Sequence, residues 1–408
     1  MPCRYCSEKL EISLANLGNA PPSNAYLTAQ NVNAPEKWYP LKVKICSHCW
    51  LAQTEDDADF EELFSPEYAY FSSYSSSWLE HSKTYASQMI DRFNLNKDSM
   101  VGEIAANDGY LLQYFQEKGI ACFGVEPTKS TATAARAKNL TIFEKFFGYA
   151  LAKELAMNHY SADLLIANNV LAHVPNINDF VSGFGLLLKP NGVATFEFPH
   201  LYRLISEFQF DTIYHEHFSY LSFSTVKRIF KSNGLDIFDV EELKTHGGSL
   251  RIFAQRDDLG KQPMSDKITK MLAFESDAGM SDLAFYTKFT ENMINIKRQF
   301  LKFLLKAQEC NEKVIGYGAA AKGNTLLNFA GVRTDLLSYV IDRNPSKQGK
   351  YLPGSHIPIF PEEQLLKDKP MWIVIFPWNL RHEISEQLSY AREWGAKFVT
   401  VIPSLAIF

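Results

Sequence analysis

The 408-residue chain lacks any run of about 20 apolar residues of the length that crosses a bilayer, so no membrane-spanning helix is expected. It also lacks a basic surplus. Its 41 Lys and Arg stand against 46 Asp and Glu, a formal net charge of -5, and they are mixed along the chain without a basic stripe. A protein that grips a phosphate backbone over a long surface needs such a stripe, so no nucleic-acid partner is expected. The opening MPCRYCSEKL has no basic segment followed by an apolar run, which predicts a cytoplasmic protein. No low-complexity tract appears. Three phosphate or metal signatures are missing as well: G-x-G-x-x-G, G-x-x-x-x-G-K and H-E-x-x-H. With 46% hydrophobic and 21% charged residues, the composition is that of an ordinary globular protein of two or three domains.

Cysteine is scarce too, at six residues, but four of them are placed in a pattern. Cys3-x-x-Cys6 and Cys46-x-x-Cys49 form two knuckles, separated by a segment that contains the turn Ala20-Pro21-Pro22-Ser23-Asn24. In a reducing compartment paired thiols point to metal rather than to disulfides. Two residues between cysteines let both thiolates face one ion, and two such pairs close a tetrahedral zinc site. A closed four-thiolate shell has no position for water, so this zinc is expected to be structural. Cys122 and Cys310 stand alone and are assigned to packing.

Beyond the acidic stretch at 55–59 comes a segment rich in rings and hydroxyls, in which Tyr68, Tyr70 and Tyr74 are candidates to roof a pocket. Strands and helices then alternate: strands at 100–105, 121–125, 164–167 and 192–198, with helices between them. That pattern predicts a doubly wound parallel sheet. From 262 to 313 the period is helical, with Phe289, Met293, Ile296, Phe300 and Phe303 on one stripe. A second strand-turn-helix series follows, with strands at 313–317, 337–341, 371–376 and 397–402.

The first strand runs into Glu103-Ile104-Ala105-Ala106-Asn107-Asp108-Gly109-Tyr110-Leu111. Small residues and a helix start let backbone approach a ligand there, yet Asp108 would repel a pyrophosphate. A cationic cofactor without phosphate suits the turn, and S-adenosylmethionine, with its sulfonium and ammonium, is one. Glu126, at the end of the second strand, is placed to accept ribose hydroxyls. His246-Gly247-Gly248-Ser249-Leu250-Arg251 offers amides, a hydroxyl and a guanidinium suited to phosphate, or else a plain turn with a surface arginine. Gly316 to Asn324, including Lys322, opens another helix and is assigned to a substrate diphosphate or to domain packing. Asp342, at the end of the next strand, is the counterpart of a ribose-binding acid, and Trp378-Asn379 are expected to line the same crevice.

These motifs occur in order with Asn168-Asn169-Val170-Leu171-Ala172-His173-Val174-Pro175 and Tyr214-His215-Glu216-His217-Phe218. Together they resemble the sugar C-methyltransferases that act on nucleotide-linked 4-keto-6-deoxyhexoses, the enzymes of mycarose- and noviose-type branched sugars, over nearly the whole chain. The resemblance implies an α/β protein with a zinc-binding domain (1–67), a Rossmann-like class I methyltransferase domain (68–245) and a Rossmann-like C-terminal domain with a helical linker (246–408) that helps hold the sugar nucleotide. It implies S-adenosylmethionine as cofactor, a small-molecule nucleotide-sugar partner, and a monomer or homodimer. By the resemblance His217 is the general base, with Tyr214 and Glu216 orienting it or touching the sugar, and with His173 and Tyr68 nearby. Glu103, Ala105, Asn107, Gly109, Tyr110, Leu111, Glu126, Asn168, Asn169, Tyr70 and Tyr74 would hold the cofactor. His246, Gly247, Gly248, Ser249, Arg251, Lys322 and Asn324 would hold the substrate. The chain departs from the family at Ala105, where glycine is usual.

Side-chain alternation in a strand would set Tyr214 and Glu216 opposite His217, so their convergence requires that segment to be a turn. Two readings compete with a methyltransferase: an NAD-dependent sugar-nucleotide oxidoreductase built on the C-terminal glycine turn, and a zinc-finger nucleic-acid binder or RNA methyltransferase.

Overall fold

The computed structural model describes residues 1–55 and 71–408. Its N-terminal unit is an antiparallel sheet of β1 (Ile12–Ala20), β2 (Tyr39–Ile45) and β3 (Ala52–Thr54), completed by β9 (Ser219–Tyr220) from the middle of the chain. Neither these strands nor the pairing of β3 with β9 was legible in the sequence pattern.

The central sheet holds β4 (Met100–Ile104), β5 (Ala121–Val125), β6 (Thr141–Phe143), β7 (Ala162–Asn168), β8 (Leu188–Pro199), β10 (Leu235–Leu243) and β11 (Ser249–Arg256). Their spatial order is β10-β11-β8-β7-β4-β5-β6, and β11 is antiparallel to both its neighbours. Strand β7 reads Ala-Asp-Leu-Leu-Ile-Ala-Asn and is buried at nearly every position, as a parallel strand covered on both faces must be. The order reverses between β4 and β7, so the crevice of this sheet opens beyond their carboxyl ends. The division expected at 245/246 falls inside the β10–β11 connection, and the sheet itself runs on to Arg256.

A helix at Phe289–Glu309 buries Phe289, Met293, Ile296 and Phe300 along the expected stripe. Leu304 takes the fifth buried place, while Phe303 lies edge-on to Trp372, ring centroids 5.3 Å apart. This helix leads into the third sheet: β12 (Val314–Tyr317), β13 (Val340–Ile341), β14 (Ile359–Phe360), β15 (Trp372–Ile375), β16 (Lys397–Thr400) and β17 (Ala406–Ile407), in the order β14-β13-β12-β15-β16-β17. Its switch point lies between β12 and β15. Trp378, in the turn after β15, meets Gly247 of the central unit, and Lys322, at the start of the helix after β12, lies over the Trp378 ring. Among the described residues no helix is long and apolar enough to cross a membrane.

Candidate active site

The turn after β4 is tight because three of its residues take left-handed backbone: Ala105 at φ 60, Asn107 at 48 and Gly109 at 74. Only the last is a glycine, and Ala105 holds its conformation against its own Cβ. Glu126, at the end of β5, accepts the Asn107 and Thr128 N–H groups, each at 2.9 Å, so it is a brace for the turn. Burial raises its carboxyl above the usual range, opposed by Thr128 and Asn107. Glu103 is pushed well above by burial, opposed by the Tyr110 hydroxyl. A segment just before the helix Ser76–Phe93 straps the turn from outside, with Ser72 N–H donating to Asn107 Oδ1 at 2.9 Å and Ser73 bonding Asp108 Oδ2 through its N–H and hydroxyl.

Asp108 Oδ1, Asn168 Oδ1 and Asn169 Nδ2 are buried without a hydrogen-bond partner. Carboxyls, two unused acceptors and one unused amide donor around a tight turn fit a ligand that brings an ammonium, a sulfonium and ribose hydroxyls. Leu111 and Tyr110 are core residues whose side chains pack inward. Tyr74 is 59% exposed and its ring lies against Phe71, so its side chain faces solvent instead of roofing this turn. Tyr68 and Tyr70 lie outside the described residues.

Residues 213–218 form the turn that convergence requires, closed by His217 N–H to Tyr214 O at 2.9 Å. The His217 ring lies 4.0 Å from that of Tyr214 and 4.6 Å, edge-on, from that of His173. His217 Nδ1 is 2.9 Å from the Thr212 carbonyl. A carbonyl only accepts, so Nδ1 carries the hydrogen and the lone pair is on Nε2. Burial first, then the neighbouring His173, keeps this imidazole well below its ordinary range and therefore neutral. His215 turns away toward the N-terminal sheet, its ring 6.0 Å from Tyr39. Glu216 is 1% exposed and does not orient the imidazole; its Oε1 accepts from Asn24 Nδ2 at 3.0 Å. Burial pushes Glu216 up to about 7, opposed by Asn24.

Burial also lowers His173 to about 4. The unfolded chain takes up that proton near 6.5 and the folded chain only near 4, so stability falls as pH falls through this window. In urea titrations, wild type should lose about 2–3 kcal/mol more than His173→Gln between pH 7 and pH 4. An equal loss in both would contradict a buried neutral His173.

The third wall comes from the C-terminal side. His246 takes left-handed backbone at φ 53, lies 5.1 Å from the Trp78 ring, and has a buried Nε2 without a partner. Gly247 follows at φ 89, and a Cβ there would strike the Trp378 indole. The remaining donors of this motif are committed elsewhere. Gly248 N–H and the Ser249 hydroxyl both go to Thr245 O, at 2.9 and 3.0 Å. Arg251, opposite Glu197 in the β11–β8 register, pairs with its carboxylate at 2.7 Å and with Glu241 at 3.2 Å. The expected phosphate clamp at Ser249 and Arg251 is therefore corrected: Glu197 is fully buried, and a buried carboxylate requires a cation. Arg251→Ala should cost about 3–5 kcal/mol in chemical unfolding, and an unchanged midpoint would refute that assignment.

Lys322 Nζ donates to Asn379 Oδ1 at 2.8 Å and sits 4.3 Å over the Trp378 ring. Trp378 Nε1 donates in turn to Asp211 Oδ2 at 2.7 Å. Burial lowers Lys322 to about 8, opposed by Asp211, and raises Asp211 to about 6, opposed by Lys322. Asn324 is 1% exposed with both amide atoms unpartnered. Asp342 accepts the Ala319 and Asn344 N–H groups at 2.8 Å each and lies 3.6 Å from Lys347, while the Tyr26 hydroxyl fills the Ala319 carbonyl at 2.6 Å. The chain thus occupies its own dinucleotide-like turn, and the NAD reading finds no support there. Asp211, Asn24 and Thr212 carried no sequence signal of their roles.

At the N-terminal end, Cys3 and Cys49 Sγ are 3.6 Å apart, Cys6 and Cys46 Sγ 3.5 Å, and all four lie within 4.8 Å of one another. Four thiolates at about 2.3 Å from one zinc stand roughly 3.8 Å apart, so the set fits that ion. Each knuckle is closed by the same bond, Ser7 N–H to Cys3 O and Trp50 N–H to Cys46 O, both 2.9 Å. Gln53 Nε2 supports Cys3 Sγ at 3.2 Å. Among the described residues this is the one cluster suited to a metal.

Three families match the chain: a zinc binding domain over residues 3–64, a methyltransferase domain over 78–240 and a C-methyltransferase C-terminal domain over 244–403. Solved structures similar to it include magnesium protoporphyrin IX methyltransferase of Synechocystis PCC 6803 with bound S-adenosylmethionine, 14% identical, spanning 44% of this chain and 79% of that one with a TM-score of 0.34. The PH0226 protein of Pyrococcus horikoshii is also 14% identical, over 46% of this chain and 95% of that one, TM-score 0.39. Among curated proteins, the C-methyltransferase NovU of Streptomyces niveus is 30% identical over 401 residues, 98% of this chain and 95% of its own. With that relative end to end, the central strand order and the four-cysteine cluster, the chain belongs to the S-adenosylmethionine-dependent C-methyltransferases, with a zinc-binding domain at its N-terminus.

Proposed function

We propose that the protein methylates a carbon alpha to the ketone of a nucleotide-diphosphate-linked 4-keto-6-deoxyhexose. The observation that carries this reading is the buried His217 imidazole, held as the Nδ1–H tautomer by Thr212 beside His173 and Tyr214. A carbon next to a ketone is not nucleophilic until it loses a proton. Neutral His217 takes that proton on Nε2, the electrons of the C–H bond move into the carbonyl, and the negative charge develops on the ketone oxygen. Donors near that oxygen stabilise it, a role for Tyr214 and His173, whose rings pack against His217. Lys322 and Asn324 supply a cation and an amide for the diphosphate. S-adenosylmethionine, when bound beside Glu103, Asn107, Glu126 and Asn168, supplies an electrophilic methyl group. NovU, a C-methyltransferase by name and similar over 95% of its length, supports the reaction class. The test is mass spectrometry after incubation with S-adenosylmethionine and a panel of keto-deoxyhexose nucleotides: one product should gain a methylene unit, and no gain with any of them would overturn the reading.

A further inference from the structure

The zinc-binding unit touches the His217 loop through Arg4, Tyr39, Thr54 and Asn24, and two of these contacts bear on the chemistry. Thr54 Oγ1 donates to the His217 carbonyl at 3.2 Å, and Thr54 N–H to Phe218 O at 3.1 Å, extending the β3–β9 pairing. The second of the two is that of Asn24. Glu216, in the same turn as His217, is a buried carboxyl whose Oε1 accepts from Asn24 Nδ2 at 3.0 Å and whose Oε2 has no partner. Asn24 belongs to the Pro21-Pro22-Ser23-Asn24 turn after β1, and that turn is anchored on its far side to the C-terminal unit. Tyr26 hydroxyl goes to Ala319 O at 2.6 Å, Leu27 pairs with Tyr351, and Glu36 binds His356 at 2.6 Å and the Gly354 N–H at 2.9 Å. A Cβ at Gly354 would press into Pro21, so the turn is seated tightly. A segment sewn to one unit therefore presents the side-chain and backbone amides of one residue, Asn24, to a carboxyl in another.

We propose that Asn24 is a positioning residue for methyl transfer: its amide fixes the Glu216 carboxyl beside His217, so the zinc-binding domain completes the catalytic loop of its neighbour. This rests on the reading of the His217 turn as the site of proton abstraction. Without the Asn24 side chain Glu216 keeps only backbone donors, its own N–H and that of Asn24; it gains room to rotate toward the imidazole or the incoming ring and loses the strongest donor that favours its charged form. Besides Asn24, the groups around it are His173, which meets the Glu216 backbone, the phenols of Tyr26 and Tyr220, and His217 and His215 on either side.

The experiment has two arms. The first needs no substrate: the protonated-carboxyl infrared band that Glu216→Gln removes is titrated with pH in wild type, Asn24→Ala and Asn24→Asp. Its midpoint should move upward by roughly one unit in Asn24→Ala and further in Asn24→Asp, which keeps the shape and adds a like charge. The second arm is turnover, in which Asn24→Ala should lower kcat by about 10-fold or more with the KM for the sugar nucleotide and S-adenosylmethionine affinity within about twofold of wild type. An unmoved midpoint with unchanged kcat would overturn the proposal. If wild type methylates no keto-sugar nucleotide, the functional reading fails, and the infrared arm still decides whether Asn24 governs Glu216.

Discussion

Replacing His217 by Asn is expected to lower methyl transfer by about 10²–10⁴-fold, while calorimetric titration with S-adenosylmethionine gives wild-type heat. The asymmetry follows from where the residue stands. Its ring is bonded to Thr212 and packed between Tyr214 and His173, whereas the candidate cofactor residues Glu103, Asn107, Glu126 and Asn168 stand at the carboxyl ends of β4, β5 and β7 or just after them. Asparagine keeps a donor for the Thr212 carbonyl and so preserves the loop, but its amide offers no basic nitrogen. A fully active variant would remove His217 from the role of base.

Removing zinc should have an effect of similar size by a different route. Zinc contributes on the order of 10–16 kcal/mol to small four-ligand domains, comparable to the whole stability of a typical fold, so chelation should unfold the first residues rather than loosen them. Those residues hold the active loop: Gln53 supports Cys3, and the next residue, Thr54, bonds His217 and Phe218. Arg4 adds a bond to the Phe218 carbonyl at 3.3 Å and one to the Thr54 carbonyl at 3.0 Å, and the Thr225 hydroxyl caps the Cys49 carbonyl at 2.9 Å. After treatment with a strong chelator, or in Cys46→Ser, amide exchange should rise through both 40–54 and 214–220, and turnover should fall by roughly 100-fold or more. Protection at 214–220 that survives the loss of zinc would show the loop to be independent of the first domain. The site would then be structural without a bearing on chemistry, which is the role that a closed thiolate shell suggests when read alone.

Local patterns were readable where chemistry repeats within a few residues. Cys-x-x-Cys spacing announces a shared ion, the alternation of strands and helices from 100 to 198 announces a doubly wound sheet, and alternation at Tyr214-His215-Glu216-His217 required the turn that the chain adopts. Phe303 was assigned to a stripe that Leu304 completes, because steps of three and of four are equally helical and packing decides between them. What could not be read depends on partners far away in the chain. Arg251 looks like a phosphate ligand until the β11–β8 register sets it against Glu197, 54 residues earlier. Asn24 meets Glu216 across 192 residues. The partner that fixes the His217 tautomer is a backbone carbonyl, which every residue has and no composition reveals. Asp342 sits where a ribose acid is expected, yet its oxygens are taken by Ala319 and Asn344.

The most direct test is proton exchange. With S-adenosylhomocysteine in place of the methyl donor and the accepted keto-sugar nucleotide in deuterated water, wild type should wash one carbon-bound proton next to the ketone into solvent, and His217→Asn should not. Equal exchange in the two proteins, or none in either while methyl transfer proceeds, would contradict abstraction by this imidazole.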